Sequence, residues 1–67
     1  MINNDVLRRV RYIFDLSDKR MIALFKLGQK EMSRAEISGL LRKDDDPAFV
    51  NCNDRTLAHF LNGLIDA

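Results

Sequence analysis

Residues 53–65, NDRTLAHFLNGLI, decide the fold. Leu57, Phe60, Leu61, Leu64 and Ile65 follow the i, i+3, i+4, i+7, i+8 series without a gap. That period puts all five on one stripe of an α-helix, whereas a strand would divide them between two faces. Asn53 stands at the N-cap position, with Asp54 as the alternative cap. A helix over about 54–65 follows.

Toward the N-terminus the same period recurs three times. In MSRAEI, residues 32–37, Ser33 and Glu36 fit a capping box, and Ile37, Leu40 and Leu41 supply the apolar face of a helix over about 34–43. Met21, Leu24 and Phe25, with Ile22 at the edge, predict a helix over 18–27, and Gly28 suits a left-handed residue after it. Val6, Leu7, Val10, Ile13 and Phe14 form the stripe of a first helix over about 3–15, with Arg8, Tyr12 and Asp15 turned away. The short break at Asp15–Ser17 favours an antiparallel first pair. No segment alternates like an exposed strand, so the fold class is all-α: four main helices in one bundle, residues 1–67 forming a single helical domain.

The helix starts share a second pattern. With Asn3, Ser17, Ser33 and Asn53 as caps, the residues flanking the first turns pair as Ile2 with Leu7, Leu16 with Met21, Met32 with Ile37 and Cys52 with Leu57. Each pair is placed to form a hydrophobic staple that sets the helix entry angle.

LRKDDDPAFVNCND, residues 41–54, is the one long connection. A calcium loop needs acidic ligands at alternate positions, a glycine at the turn and a glutamate at the twelfth place. Here Asp44, Asp45 and Asp46 are consecutive, no glycine follows, and Arg55 occupies position twelve. The structural reading explains more: Arg42 and Lys43 complement the C-terminal dipole of the third helix. Asp46 caps a short helical turn near 47–51 with Pro47 at its first position. Phe49 is expected to plug the open end of the bundle.

Composition narrows the function classes. Folding a chain of 67 residues buries roughly 60% of its unfolded surface. A single core of this size supplies about 3–5 kcal/mol of stability. The one cysteine, Cys52, excludes an internal disulfide and a cysteine-based zinc site, and suits a reducing cytoplasmic setting. Eleven basic and ten acidic residues nearly cancel, leaving no general attraction to nucleic acid or to an anionic membrane. No apolar run is long enough to span a bilayer, and MINNDVLRR lacks the features of a signal peptide.

Six residues make the candidate interaction surface: Arg8, Tyr12, Arg42, Arg55, His59 and Asn62. Arg8, Arg9 and Arg11 spread around the first helix, where Asp5 is spaced to pair with Arg9, and Asp15 with Arg11. Tyr12, one turn from Arg8, suits either a local stack on that guanidinium or the aromatic anchor of a binding surface. His59 has no second histidine and no serine or cysteine at catalytic or metal spacing, which leaves it a rim position. No cofactor-binding or catalytic pattern occurs.

DNA binding is the competing function. MSRAEISGLLRK resembles the first helix of a helix-turn-helix, and NDRTLAHFLNGL would then offer Arg55, Thr56, His59 and Asn62 to a groove. The connection of some ten residues exceeds the usual 3–4, and the three aspartates would repel phosphate. Pairing the second and third helices gives a tighter turn and offers Arg34, Ser38 and Arg42, with Glu36 among them.

NDVLRRVRYIFDL, LRKDDDPAFVNCND and LAHFLNGLI together resemble the YehS-like bacterial family of unknown function. The similarity covers nearly the whole chain, and the spacing from Leu41 through Phe49 and Cys52 to the Phe60–Ile65 run carries it. The resemblance implies a cytoplasmic helical module with no established activity, matching the first of two tandem copies that members usually carry. A lone copy would leave its inter-copy face uncovered, so a homo-oligomer or complex with another protein is the expected state.

Overall fold

Three of the four helices start on the caps that the sequence marks. In the computed structural model, which describes residues 1–67, the helices are α1 (Asn3–Ile13), α2 (Asp18–Leu27), α3 (Arg34–Leu41) and α4 (Asp54–Asp66), with no strand. The side chains of Ser17, Ser33 and Asn53 accept hydrogen bonds from the backbone N–H groups of Arg20, Glu36 and Thr56. Glu36 completes the capping box by accepting from the Ser33 N–H at 3.1 Å. The first helix departs from expectation. Its cap position is Ile2, and only half of a box forms, the Asp5 carboxylate accepting from the Ile2 N–H at 3.0 Å. Asn3 lies inside the helix, and its amide is used elsewhere.

Both α1 and α2 end in Schellman geometry. Leu16 N–H bonds to Arg11 O and Asp15 N–H to Tyr12 O; Lys30 N–H bonds to Phe25 O and Gln29 N–H to Lys26 O. The left-handed residues are therefore Asp15 (φ 52°) and Gln29 (φ 72°), not Gly28, whose φ is −84°. The first helix stops at Ile13, two residues short of the expected end, because Asp15 takes the left-handed position. The third stops at Leu41, and Arg42 is its extended C-cap rather than part of its last turn.

Helices α2 and α4 make the main contact, α3 packs on α2, and α1 lies against α3 and α4. The expected antiparallel packing of α1 on α2 does not occur. Asp15 redirects the chain, so α2 is carried away to pack on the later helices. The core is nine residues: Leu7, Met21, Leu24, Phe25, Met32, Ile37, Leu40, Cys52 and Phe60. The Phe25 and Phe60 rings meet at 5.1 Å between centroids, joining α2 to α4. The Cα radius of gyration is 10.8 Å, against about 11 Å expected for a folded chain of this length. The molecule is thus fully collapsed, yet several large apolar groups remain outside.

Glycine decides which face of α4 is inside. A Cβ built on Gly28 would lie 1.7 Å from the carbonyl oxygen of His59, and one on Gly63 would lie 1.7 Å from that of Leu24. The two backbones touch, with Leu24 and Gly28 on one helix facing His59 and Gly63 on the other. This approach rotates the buried sector of α4 roughly 70° from the centre of its apolar stripe, at about 100° per residue. Phe60 is buried, Leu57 and Leu64 pack against the core from the side, and Leu61 and Ile65 turn outward.

Candidate functional site

The surface available for function is set by how the 42–53 connection is held. Asn4 is wholly buried and is the only buried polar side chain. Its Nδ2 donates to Leu40 O at 2.9 Å and Val50 O at 2.8 Å, and its Oδ1 accepts from Cys52 N–H at 2.8 Å. One amide therefore joins α1, the end of α3 and the connection, with all three of these bonds satisfied. Asn3 adds a second tie by donating to Cys52 O at 3.0 Å and to the Asp54 carboxylate at 2.7 Å. Sequence reasoning assigned Asn3 as a cap and passed over Asn4. The available signal was that Asn4 stands one turn before Leu7, on the buried stripe, where an amide must find internal partners.

In place of the expected helical turn near 47–51 the connection makes two successive hydrogen-bonded turns, Lys43–Asp46 and Asp46–Phe49, and runs on without helix to α4. Asp46 Oδ1 accepts from Ala48 N–H at 2.8 Å and its Oδ2 pairs with Arg42 at 3.0 Å, which holds its carboxyl below the ordinary carboxylate range. Phe49 is only half-buried and lies outside the core cluster. The connection is anchored by Asn4 and by Cys52, because polar bonds to the backbone reach further into this end of the bundle than the ring does. Burial, reinforced by the charge of Asp54, pushes the Cys52 thiol up, so it serves as a small packed group.

The six candidate residues form two groups, Arg8, Tyr12 and Arg42 around the outer side of α1, and Arg55, His59 and Asn62 on α4. Arg8 donates to Arg42 O at 2.7 Å and pairs with Asp5, whose carboxyl is held down by the Ile2 N–H and by Arg8. That pairing replaces the expected Asp5–Arg9 contact, and Arg11 reaches Asp18 at 3.8 Å rather than Asp15. Tyr12 is exposed, and the Arg8 guanidinium is engaged by the Arg42 carbonyl and the Asp5 carboxylate in place of the expected stack. His59 is half-buried, its Nδ1 donating to Gly28 O at 2.7 Å, which ties it to the helix crossing. Arg55 and Asn62 are exposed on α4. Helices α3 and α4 make little or no contact, which counts against the first helix-turn-helix pairing, whereas α2 and α3, the second pairing, do pack on one another.

What the surface does present is apolar. Tyr12 is 86% exposed, Ile13 70%, Phe14 59% and Ile65 79%, with Met1 and Leu27 also open. Ile13 and Phe14 were expected on the buried stripe; they lie outside because α1 ends before α2 and no helix covers its last turn. Along the outer side of α1 an open groove of about 730 Å³ is lined by Met1, Asp5, Arg8, Arg9, Tyr12 and Ile13. It shares Met1, Asp5 and Arg8 with a second depression that ends at Lys43, Asp44 and Asp45. No group of three or more histidine, cysteine, aspartate or glutamate side chains is placed to hold a metal ion, and no helix is long and apolar enough to cross a membrane.

The model of a family described as "Protein of unknown function (DUF1456)" matches residues 3–67. The chain is 42% identical over 65 residues to the uncharacterized protein YehS of Escherichia coli (strain K12), a match that takes in 97% of this chain and 42% of that protein. The chain thus spans less than half the length of the curated relative it matches. No solved structure matches it.

Proposed function

This chain belongs to the DUF1456 family of proteins of unknown function, and we propose that it works as a helical protein-docking module of the cytoplasm, without chemistry of its own. The observation that carries this reading is the set of large apolar side chains left outside a fully collapsed core, above all Tyr12, Ile13, Phe14 and Ile65. Such groups cost solubility when they face water and are covered in complexes. Polar groups support the same reading, since residue types that do chemistry in other proteins are engaged in holding the fold here: Asn4 in the clamp, His59 at the helix crossing, Asp46 in its turn, and Cys52 buried.

Sedimentation equilibrium at two salt concentrations, with and without a short mixed-sequence DNA duplex, tests the reading. Association of the chain with itself that is indifferent to the duplex is the expected outcome. A monomer that moves onto the duplex at low salt would overturn it and put nucleic acid first.

A further inference from the structure

We propose that the outer face of α1 is the docking surface and that its occupant is the same face of a second copy of this chain; this deepens the docking-module reading and rests on it. The apolar end of the face is Tyr12 and Ile13, and the opposite end is the turn carrying Asp44 and Asp45. Between them lie Met1 and the Asp5–Arg8 ion pair, which is neutral overall and common to both depressions. Arg9, beside the apolar end, is exposed and forms no ion pair, while at the far end Asp44, Asp45 and the single cation Lys43 are likewise exposed and unpaired, leaving that end net negative.

This distribution selects the partner. A face meant for an acidic or a basic partner would carry free charge of one sign, but here the free charge is positive at one end, in Arg9, and net negative at the other, where Asp44 and Asp45 outweigh Lys43. An isologous contact needs a surface complementary to itself under a two-fold rotation. A two-fold axis through the Asp5–Arg8 pair brings Arg9 of each copy opposite Asp44 and Asp45 of the other. Each charge contact is thereby made twice, and Met1, Tyr12 and Ile13 are covered along the same face. The second apolar region, around Leu27 and Ile65, also carries one free charge of each sign, Lys26 and Asp66, but its depressions, about 250 and 540 Å³, are smaller than the groove of about 730 Å³ on α1.

Charge reversal tests the pairing. The self-association constant is measured by sedimentation equilibrium for the unaltered chain, for Arg9→Glu, for the double variant Asp44→Lys with Asp45→Lys, and for all three changes together. Circular dichroism confirms the helix content of each. Arg9→Glu and the double aspartate variant are each expected to weaken association by about tenfold or more, because like charges then meet twice across the axis. The combined variant is expected to return to within about threefold of the unaltered chain, since opposite charges again face one another. Association that ignores the single reversals, or that the combined variant fails to restore, overturns this face while leaving the docking-module reading standing. A chain that stays monomeric at every concentration overturns both.

Discussion

Asn4 carries more of this structure than any other single polar side chain. Its three hydrogen bonds hold Leu40, Val50 and Cys52, so it fixes the end of α3 and the return of the connection toward α4. Truncating it would leave the buried Leu40 carbonyl, the partly buried Val50 carbonyl and the buried Cys52 N–H without partners, and an unsatisfied buried group costs far more than a solvated one. Asn4→Ala is expected to lower stability by about 2–4 kcal/mol, most of what a core of this size supplies, as read from urea unfolding followed by circular dichroism. Asn3→Ala, which removes bonds closer to the surface, is expected to cost about 1 kcal/mol or less. Equal losses in the two variants would show that the clamp is not what holds the connection.

Among elements, the α2–α4 crossing and the two helix ends make opposite demands on glycine. Gly28 and Gly63 are required by close approach: a methyl group at either must displace backbone of the facing helix. Gly28→Ala and Gly63→Ala are each expected to destabilise by about 3 kcal/mol, the upper range for overpacking, since a carbonyl cannot swing aside as a side chain can. Gln29 is the reverse case. It occupies a left-handed backbone position that a glycine would adopt freely, so Gln29→Gly is expected to stabilise by about 0.5–1 kcal/mol despite the added freedom of the unfolded chain. Thermal unfolding of the three variants checks both signs in one series. The pattern also explains why the glycine at the end of α2 sits one position before the left-handed residue: the packing of α4 claims it.

For the whole molecule, the question is which apolar residues belong to the fold and which to a partner. Phe60 is wholly buried against Phe25, and Phe60→Ala is expected to cost about 3–5 kcal/mol. Ile13 and Ile65 have the same hydropathy and helical spacing as core residues but lie outside, so Ile13→Ser and Ile65→Ser are expected to shift the stability of the monomer by no more than about 0.5 kcal/mol. Denaturant unfolding at low protein concentration measures this without the contribution of association. A large loss in either isoleucine variant would place that side chain in the core and remove it from the docking surface.

The sequence by itself determined the helical class, the caps of α2, α3 and α4, the buried members Met21, Leu24, Phe25, Ile37 and Leu40, and the family. These are local properties: a cap is a hydrogen bond across three residues, and a helix period is visible within two turns. What only the tertiary structure decided was which part of each stripe is covered. Periodicity counts apolar side chains and cannot see that Gly28 and Gly63 let two backbones touch, which turned Leu61 and Ile65 outward. Nor can it see that Asp15 sends α2 away from α1, which left Ile13 and Phe14 uncovered. Asn4 and Phe49 exchanged roles for the same reason. Hydropathy assigns the ring to the interior and the amide to the surface, and the amide went inside because three backbone groups from distant parts of the chain needed a common partner there.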